Sequence, residues 1–268
     1  MIAFANHFAF EFKTGLRNPT QLLMNYLLPL GLYGVLGLVM TQVNPLFRQT
    51  MIPAMVTLAS LSSAILGLPS PLVESREAGI YRSYKINGVP ALSILGIPML
   101  TTIFHALIVS GIIAATAPAL FKGAVPTHWG AFVSLTLLTA FTCGAIGTLI
   151  GVVATSSSGT VLWSQLIFLP SMLLGGLMMP LDVLPESVRR FSALLPPARA
   201  MQAYLGLAYN QPTVMGPLAS VVVLLASGIL AFGLAAYLFN WDNRNSARRG
   251  HPLMALLVLA PYVLGLFL

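Results

Sequence analysis

The chain has 268 residues, of which 57% are apolar and only 7% charged, and its mean hydropathy is +0.88. A water-soluble domain carries about 25% charged residues, so the composition excludes an ordinary soluble globule and calls for hydrocarbon around the exterior. The net charge of +7 comes from 13 Lys and Arg that sit mostly in short segments between long apolar runs. That distribution suits anionic lipid head groups rather than nucleic acid. The single cysteine, Cys143, lies inside an apolar run and excludes an intrachain disulfide and a cysteine-cluster metal site.

A spanning helix needs about 20 mainly apolar residues. The N-terminal stretch, with Glu11 and Lys13, lacks a basic region ahead of an apolar core, so the first spanning helix is expected to act as its own insertion signal. Within residues 1–21, Phe4, Phe8 and Phe12 recur every four residues and Leu16 continues the row, while Glu11, Lys13 and Arg17 lie off it. This predicts an amphipathic helix in the membrane interface, closed by Asn18-Pro19. It serves either as a simple anchor or as an elbow that clamps the bundle laterally.

Six spans follow, at about 22–41, 51–73, 92–118, 129–155, 160–180 and 217–240, within a transmembrane unit of residues 22–240. The fold class is thus an all-α polytopic helix bundle. The segment 241–268 adds a basic tail and a 17-residue apolar run, 252–268, which is readable as a seventh helix, a re-entrant segment or an interfacial one. With the N-terminus inside, the inner loops hold Lys13, Arg17, Arg76, Arg82, Lys85, Arg244, Arg248 and Arg249. The outer side then holds Arg48, Lys122, Arg189, Arg190 and Arg199. Eight against five favours a cytoplasmic N-terminus.

Two connections are more than loops. Glu74 to Pro90, ESREAGIYRSYKINGVP, is the most polar stretch, with Glu74, Arg76, Glu77, Arg82 and Lys85 inside twelve residues. Ile80, Tyr81 and Tyr84 share one helical face there, which predicts a charged amphipathic segment, either a protein-contact surface or a lipid-anchored loop. Beyond the fifth span, Pro180, Pro185, Pro196 and Pro197 break regular structure. Between them Glu186 to Leu195 can form a short amphipathic helix with Val188, Phe191, Leu194 and Leu195 opposite Arg189 and Arg190. Residues 179–200 therefore read as a hairpin dipping into the outer leaflet.

The catalytic motifs sought are missing. No phosphate-binding GxxxxGK[ST], HExxH or GxSxG occurs, and the four histidines (7, 105, 128 and 251) are far apart in sequence, so neither nucleotide hydrolysis nor a metal site is expected from this chain. Ser156 to Ser158 read as a tight turn. Inside the spans, His105, Asn25 and Gln165 are the polar groups, readable as helix-to-helix hydrogen-bonding groups or as a substrate path. No span holds an Asp or Glu, which argues against a cation-driven carrier. Gly147 and Gly151, with Gly144, and Gly31, Gly34 and Gly37 mark close-packing faces, either within one chain or across a dimer.

The amphipathic start ending Arg-Asn-Pro with Pro29 in the first span, the Glu-Ser-Arg-Glu-Ala-Gly…Asn-Gly-Val-Pro loop, and the Gly-Gly-Leu-Met-Met-Pro…Leu-Pro…Leu-Leu-Pro-Pro hairpin occur together. In this the chain resembles, over about residues 1–240, the permease subunits of ABC type-2 transporters of bacterial drug, antibiotic and polysaccharide export. The resemblance implies a six-span permease of the bacterial inner membrane. It would pair with a second permease copy, homo- or heterodimeric, and with cytoplasmic ATPase subunits that carry ATP and Mg. It would export an amphipathic molecule such as a drug, lipid or glycolipid. The loop after the second span would dock the ATPase through Glu74, Arg76, Glu77, Tyr81, Arg82 and Lys85. Pro180, Pro185, Phe191 and Pro196 would belong to an extracellular gate, and the substrate path would run between the copies beside the second and fifth spans. The family ends with a short basic tail, matched here by Asn243 to Gly250; the run 252–268 departs from it. A self-contained carrier or channel, and a non-transport membrane assembly protein, are the alternatives.

Overall fold

The computed structural model describes residues 2–242 and 250–267, so all of the basic tail read at Asn243 to Gly250 except Gly250 lies outside the described residues. The chain folds into α1 (Ile2–Arg17), α2 (Pro19–Val43), α3 (Phe47–Glu77), α4 (Ile80–Ile86), α5 (Ala91–Phe121), α6 (Trp129–Val153), α7 (Ser157–Leu174), α8 (Glu186–Ser192), α9 (Pro196–Ala203) and α10 (Pro217–Leu238), followed by the helical segment Pro252–Phe267. Six of these helices, α2, α3, α5, α6, α7 and α10, are long and apolar enough to cross a membrane. They match the six expected spans, with one shift. The fifth ends at Leu174 rather than near residue 180, because Gly175 is followed by Gly176 in the left-handed region at φ +79°.

Two spans widen by one residue in a turn, and proline accounts for the position of each. The π-helical turns Leu23–Leu27 and Ser62–Gly67 end just before Pro29 and Pro69. Proline lacks an N–H and its ring pushes on the carbonyl four residues back, so the preceding turn opens. The two widened turns face each other across α2 and α3, and the buried Asn25 lies between them.

Helix α3 is the central post: from Met51 to Ile65 every residue is buried. Its close partner is α6. A Cβ on Gly147 would overlap the carbonyl oxygen of Ala64, and one on Gly151 would fall 3.1 Å from the carbonyl oxygen of Pro69. The glycines of α6 therefore pack within one chain, and only the absence of a side chain lets these backbones approach. On the other flank of α6, Thr142 donates its hydroxyl to Leu224 O of α10 at 3.0 Å, and Gly228 leaves room for Phe141. By contrast, Gly31 and Gly34 of α2 have nothing within 4 Å.

The amphipathic α1 lies against α5. Phe8 and Phe12 meet Phe104 edge-on at 6.2 and 5.8 Å, and Phe12 stacks on His105 at 4.4 Å. Phe8 and Phe12 thus pack on the bundle, while Leu16 and Phe10 remain exposed.

The segment Pro252–Phe267 runs back along α10. Gly250 abuts Leu238 and Tyr237 at one end, and Gly265 abuts Val223 near the other. Tyr262 is buried, and its hydroxyl accepts from Ser227 Oγ at 3.0 Å. Residues Pro252–Leu259 and Gly265–Phe267 are 3₁₀-helical. A 3₁₀ helix rises about 2.0 Å per residue against 1.5 Å for an α-helix, so this short segment covers about 30 Å, the thickness of a hydrocarbon core. The segment packs antiparallel to α10, and it is shorter than the six helices long and apolar enough to cross a membrane.

Two predictions follow from this packing. Gly147→Ala should cost on the order of 3 kcal/mol by overpacking and lower the melting temperature in detergent, while Gly34→Ala leaves it unchanged. On the seventh-helix reading of 252–268, a topology reporter fused after Asp242 and one fused after Leu268 should report opposite sides of the membrane; the same side for both would refute that reading.

Candidate functional site

One end of the bundle gathers α1, α4, the α6–α7 turn and the residues after α10; the hairpin lies at the other end. Helices α3 and α4 form an elbow at Gly79, whose φ of +75° is the left-handed turn that separates them. The elbow is fixed at three points. Arg76 donates from Nη1 to Val152 O at 2.8 Å and from Nη2 to Ala154 O, so its guanidinium caps the carbonyl end of α6, where the helix dipole is negative. Ser157 Oγ donates to Glu77 Oε2 at 3.3 Å at the start of α7. Arg82 pairs with Asp242 at 3.1 Å, beyond the end of α10. Ser156 forms the turn between α6 and α7 and caps α7 by accepting from Gly159 N at 3.2 Å.

Burial divides the six residues expected to dock a partner. Arg76 is only 5% exposed and Tyr81 also 5%, the latter packed on Phe239 with ring centroids 5.7 Å apart. Burial holds the Tyr81 phenol well above its usual range. Neither side chain can reach a partner protein in this arrangement. This corrects the sequence expectation for these two: Arg76 is a staple and Tyr81 a root. Glu74, Glu77, Arg82 and Lys85 are exposed. Sequence reasoning missed Ile86, which is 86% exposed at the tip of α4. The signal was an isoleucine one turn beyond Arg82 with no apolar partner in the 74–90 pattern.

Beneath α1 lies a cavity of about 290 Å³ bounded by α1, α2, the α3–α4 elbow and α5. It joins two of the three polar residues singled out in the spans. Asn25 and His105, 4% and 2% exposed, both line it, and Asn25 Oδ1 and His105 Nε2 have no hydrogen-bond partner. His105 is held by Tyr26, whose Oη lies 2.7 Å from Nδ1, and by Phe12 stacked on its face. Gly15 of α1 makes room for it, since a Cβ there would lie 2.8 Å from Nε2. Glu11 and His7 stand on the α1 wall, 3.6 Å apart. Burial raises the Glu11 carboxyl above the usual carboxylate range, with His7 acting in the opposite sense.

The third polar residue, Gln165, is elsewhere. It is exposed on α7, between the exposed Leu162 and Leu166. Since α3 has no exposed residue from Met51 to Ile65, only the α7 flank of the anticipated path faces outward here. In the hairpin, Pro185 and Phe191 are exposed, Pro180 is half-buried, and Pro196 is buried at the first turn of α9. All of α9 is buried, and it leads back through Tyr204, which donates to Thr136 Oγ1 at 2.9 Å, to Ala208 O, which accepts from Thr127 N and His128 N at the start of α6. The hairpin therefore returns into the bundle. Among the described residues no group of three or more His, Cys, Asp or Glu could hold a metal.

Six helices long and apolar enough to cross a membrane define a multi-pass helical membrane protein. The family model ABC-2 type transporter matches residues 4–209, from α1 to the end of the hairpin, and the chain belongs to that family. It is an ABC transporter permease, a component that is generally not catalytic itself and that normally works with an ATPase partner. No curated protein and no solved structure matches the chain. Helix α10 and the C-terminal segment lie beyond the matched residues.

The Arg76 staple can be tested directly. Arg76→Ala should leave the α6 carbonyls uncapped at a cost of about 2 kcal/mol, read as a lower melting temperature. Arg76→Lys should recover part of the loss, because one ammonium cannot reach both carbonyls with the planar guanidinium geometry.

Proposed function

We propose that the chain is the permease of an ATP-driven exporter of amphipathic molecules in a bacterial inner membrane, with α1 and the elbow on the cytoplasmic side. The observation that carries this reading is the elbow itself. Arg82, Lys85 and Ile86 on the short α4 and Glu74 and Glu77 at the end of α3 are exposed, while the elbow is fastened to α6, α7 and the end of α10. A partner ATPase, holding ATP and Mg, would seat that surface in a groove. Mixed charges supply docking specificity, and the apolar tip at Ile86 supplies a desolvated anchor.

Motion of the partner would pass through the elbow to α3, α6, α7 and α10 together, because the staple joins them. Alternating access then needs only that the permease make different contacts in its inward and outward states. A second permease copy, identical or related, would cover the exposed face of α7, where a polar amide at Gln165 lies among apolar residues and favours a protein or aqueous neighbour over lipid. The hairpin, with Pro180, Pro185, Phe191 and Pro196, would close the outer end of the path.

Tagged full-length chain, purified from its native host, should bring down a soluble ATPase in stoichiometric amount. The double variant Lys85→Glu, Ile86→Asp should lose the ATPase while keeping its melting temperature and membrane insertion. Undiminished co-purification by that variant would disprove the docking surface; the absence of any ATPase from the wild-type preparation would disprove the transporter reading.

A further inference from the structure

The chamber beneath α1 has a charge character that runs against the rest of the chain. The protein carries 13 Lys and Arg and only 6 Asp and Glu. Yet the chamber wall includes two of those six carboxylates, Glu11 and Glu74, and not one of the 13 basic residues. Arg76 lies close by, but its guanidinium is turned to the α6 carbonyls. Asn25 Oδ1, on the same wall, is buried, without a hydrogen-bond partner, and an obligate acceptor. His105 Nε2, equally buried and unpartnered, is a second acceptor when Nδ1–H donates to Tyr26 Oη. Unpaired buried acceptors are costly unless a donor arrives.

We propose that this chamber binds the ammonium head of an amphiphilic cation, taken from the membrane leaflet on the α1 side. The carboxylates of Glu11 and Glu74 attract the charge, and Asn25 Oδ1 receives an N–H from it. The rings of Tyr81 and Tyr84 on the wall add cation–π attraction. A cavity of about 290 Å³ takes a head group and its first methylenes against Leu72, Ile94 and Pro98. The rest of the tail leaves past the exposed Phe10 of α1. Because the elbow forms one wall, an occupant bears directly on the segment that faces the ATPase. As the loading site of an exported molecule the chamber rests on the exporter reading above; binding as such does not, and is measured without any ATPase.

The test uses the full chain in micelles of a non-ionic maltoside detergent. The probe is a decylammonium with a dansyl group at the far end of its tail, followed by fluorescence anisotropy. The alcohol and the sulfate with the same tail and label are the comparisons. The ammonium should bind saturably at one per chain, with the alcohol and the sulfate at least tenfold weaker. Glu11→Gln and Glu74→Gln, both at the rim, should each weaken it about tenfold, as expected for loss of one charged partner. Asn25→Leu should abolish binding, and Glu186→Gln at the hairpin end should change nothing. Displacement of the probe by phosphatidylethanolamine would assign the ammonium to a resident lipid; resistance to it would assign the site to a free amphiphile. Equal binding of all three head groups, or full affinity in both rim variants at unchanged melting temperature, would overturn the proposal.

Discussion

The seam between α3 and α6 is the constraint on which the rest depends. In hydrocarbon there is no gain from hiding apolar surface against apolar surface, so helices hold together by close van der Waals contact and by polar groups paired across them. Here Gly147 and Gly151 bring α6 onto the backbone of α3 at Ala64 and Pro69, and Arg76 extends the same seam past the end of α6. The central helix is thereby buried on all sides, and its projecting end becomes the elbow. A force applied to α4 reaches the middle of the bundle because no soft layer lies between them.

Proline sets the second feature. A proline in a span would ordinarily cost a hydrogen bond that lipid cannot replace. In α2 and α3 the preceding turn opens into a π-turn instead, and the two openings face each other. The displaced backbone makes room for Asn25 and, with α1 laid across the gap, encloses a polar chamber next to His105. The local disorder of helix geometry and the polar site thus have one cause.

At the opposite end the hairpin solves a different problem. Backbone that is not helical survives at membrane depth only when protein surrounds it. Helix α9 is buried along its whole length, and the C-terminal segment lies over Arg199, which is 1% exposed. That segment is 3₁₀-helical for eleven residues, which makes it longer than an α-helix of the same residue count.

The sequence by itself determined the class, the six spans and the unusual character of the loop and hairpin, because each of these is written in local quantities: hydropathy over a window, proline spacing and charge density. It also gave the resemblance that the family match bears out. It misassigned Arg76, because charge alone does not tell a docking residue from a helix cap; that depends on whether the end of α6 lies within reach. It singled out Asn25, His105 and Gln165 as equals, and only the tertiary structure brought the first two into one chamber and left the third on an outer face. The packing role of Gly147 and the path of 252–268 were likewise decided by tertiary structure. Each is fixed by which helix becomes a neighbour, and in a membrane every helix presents the same apolar surface to every other until the small residues and the few polar groups choose among them.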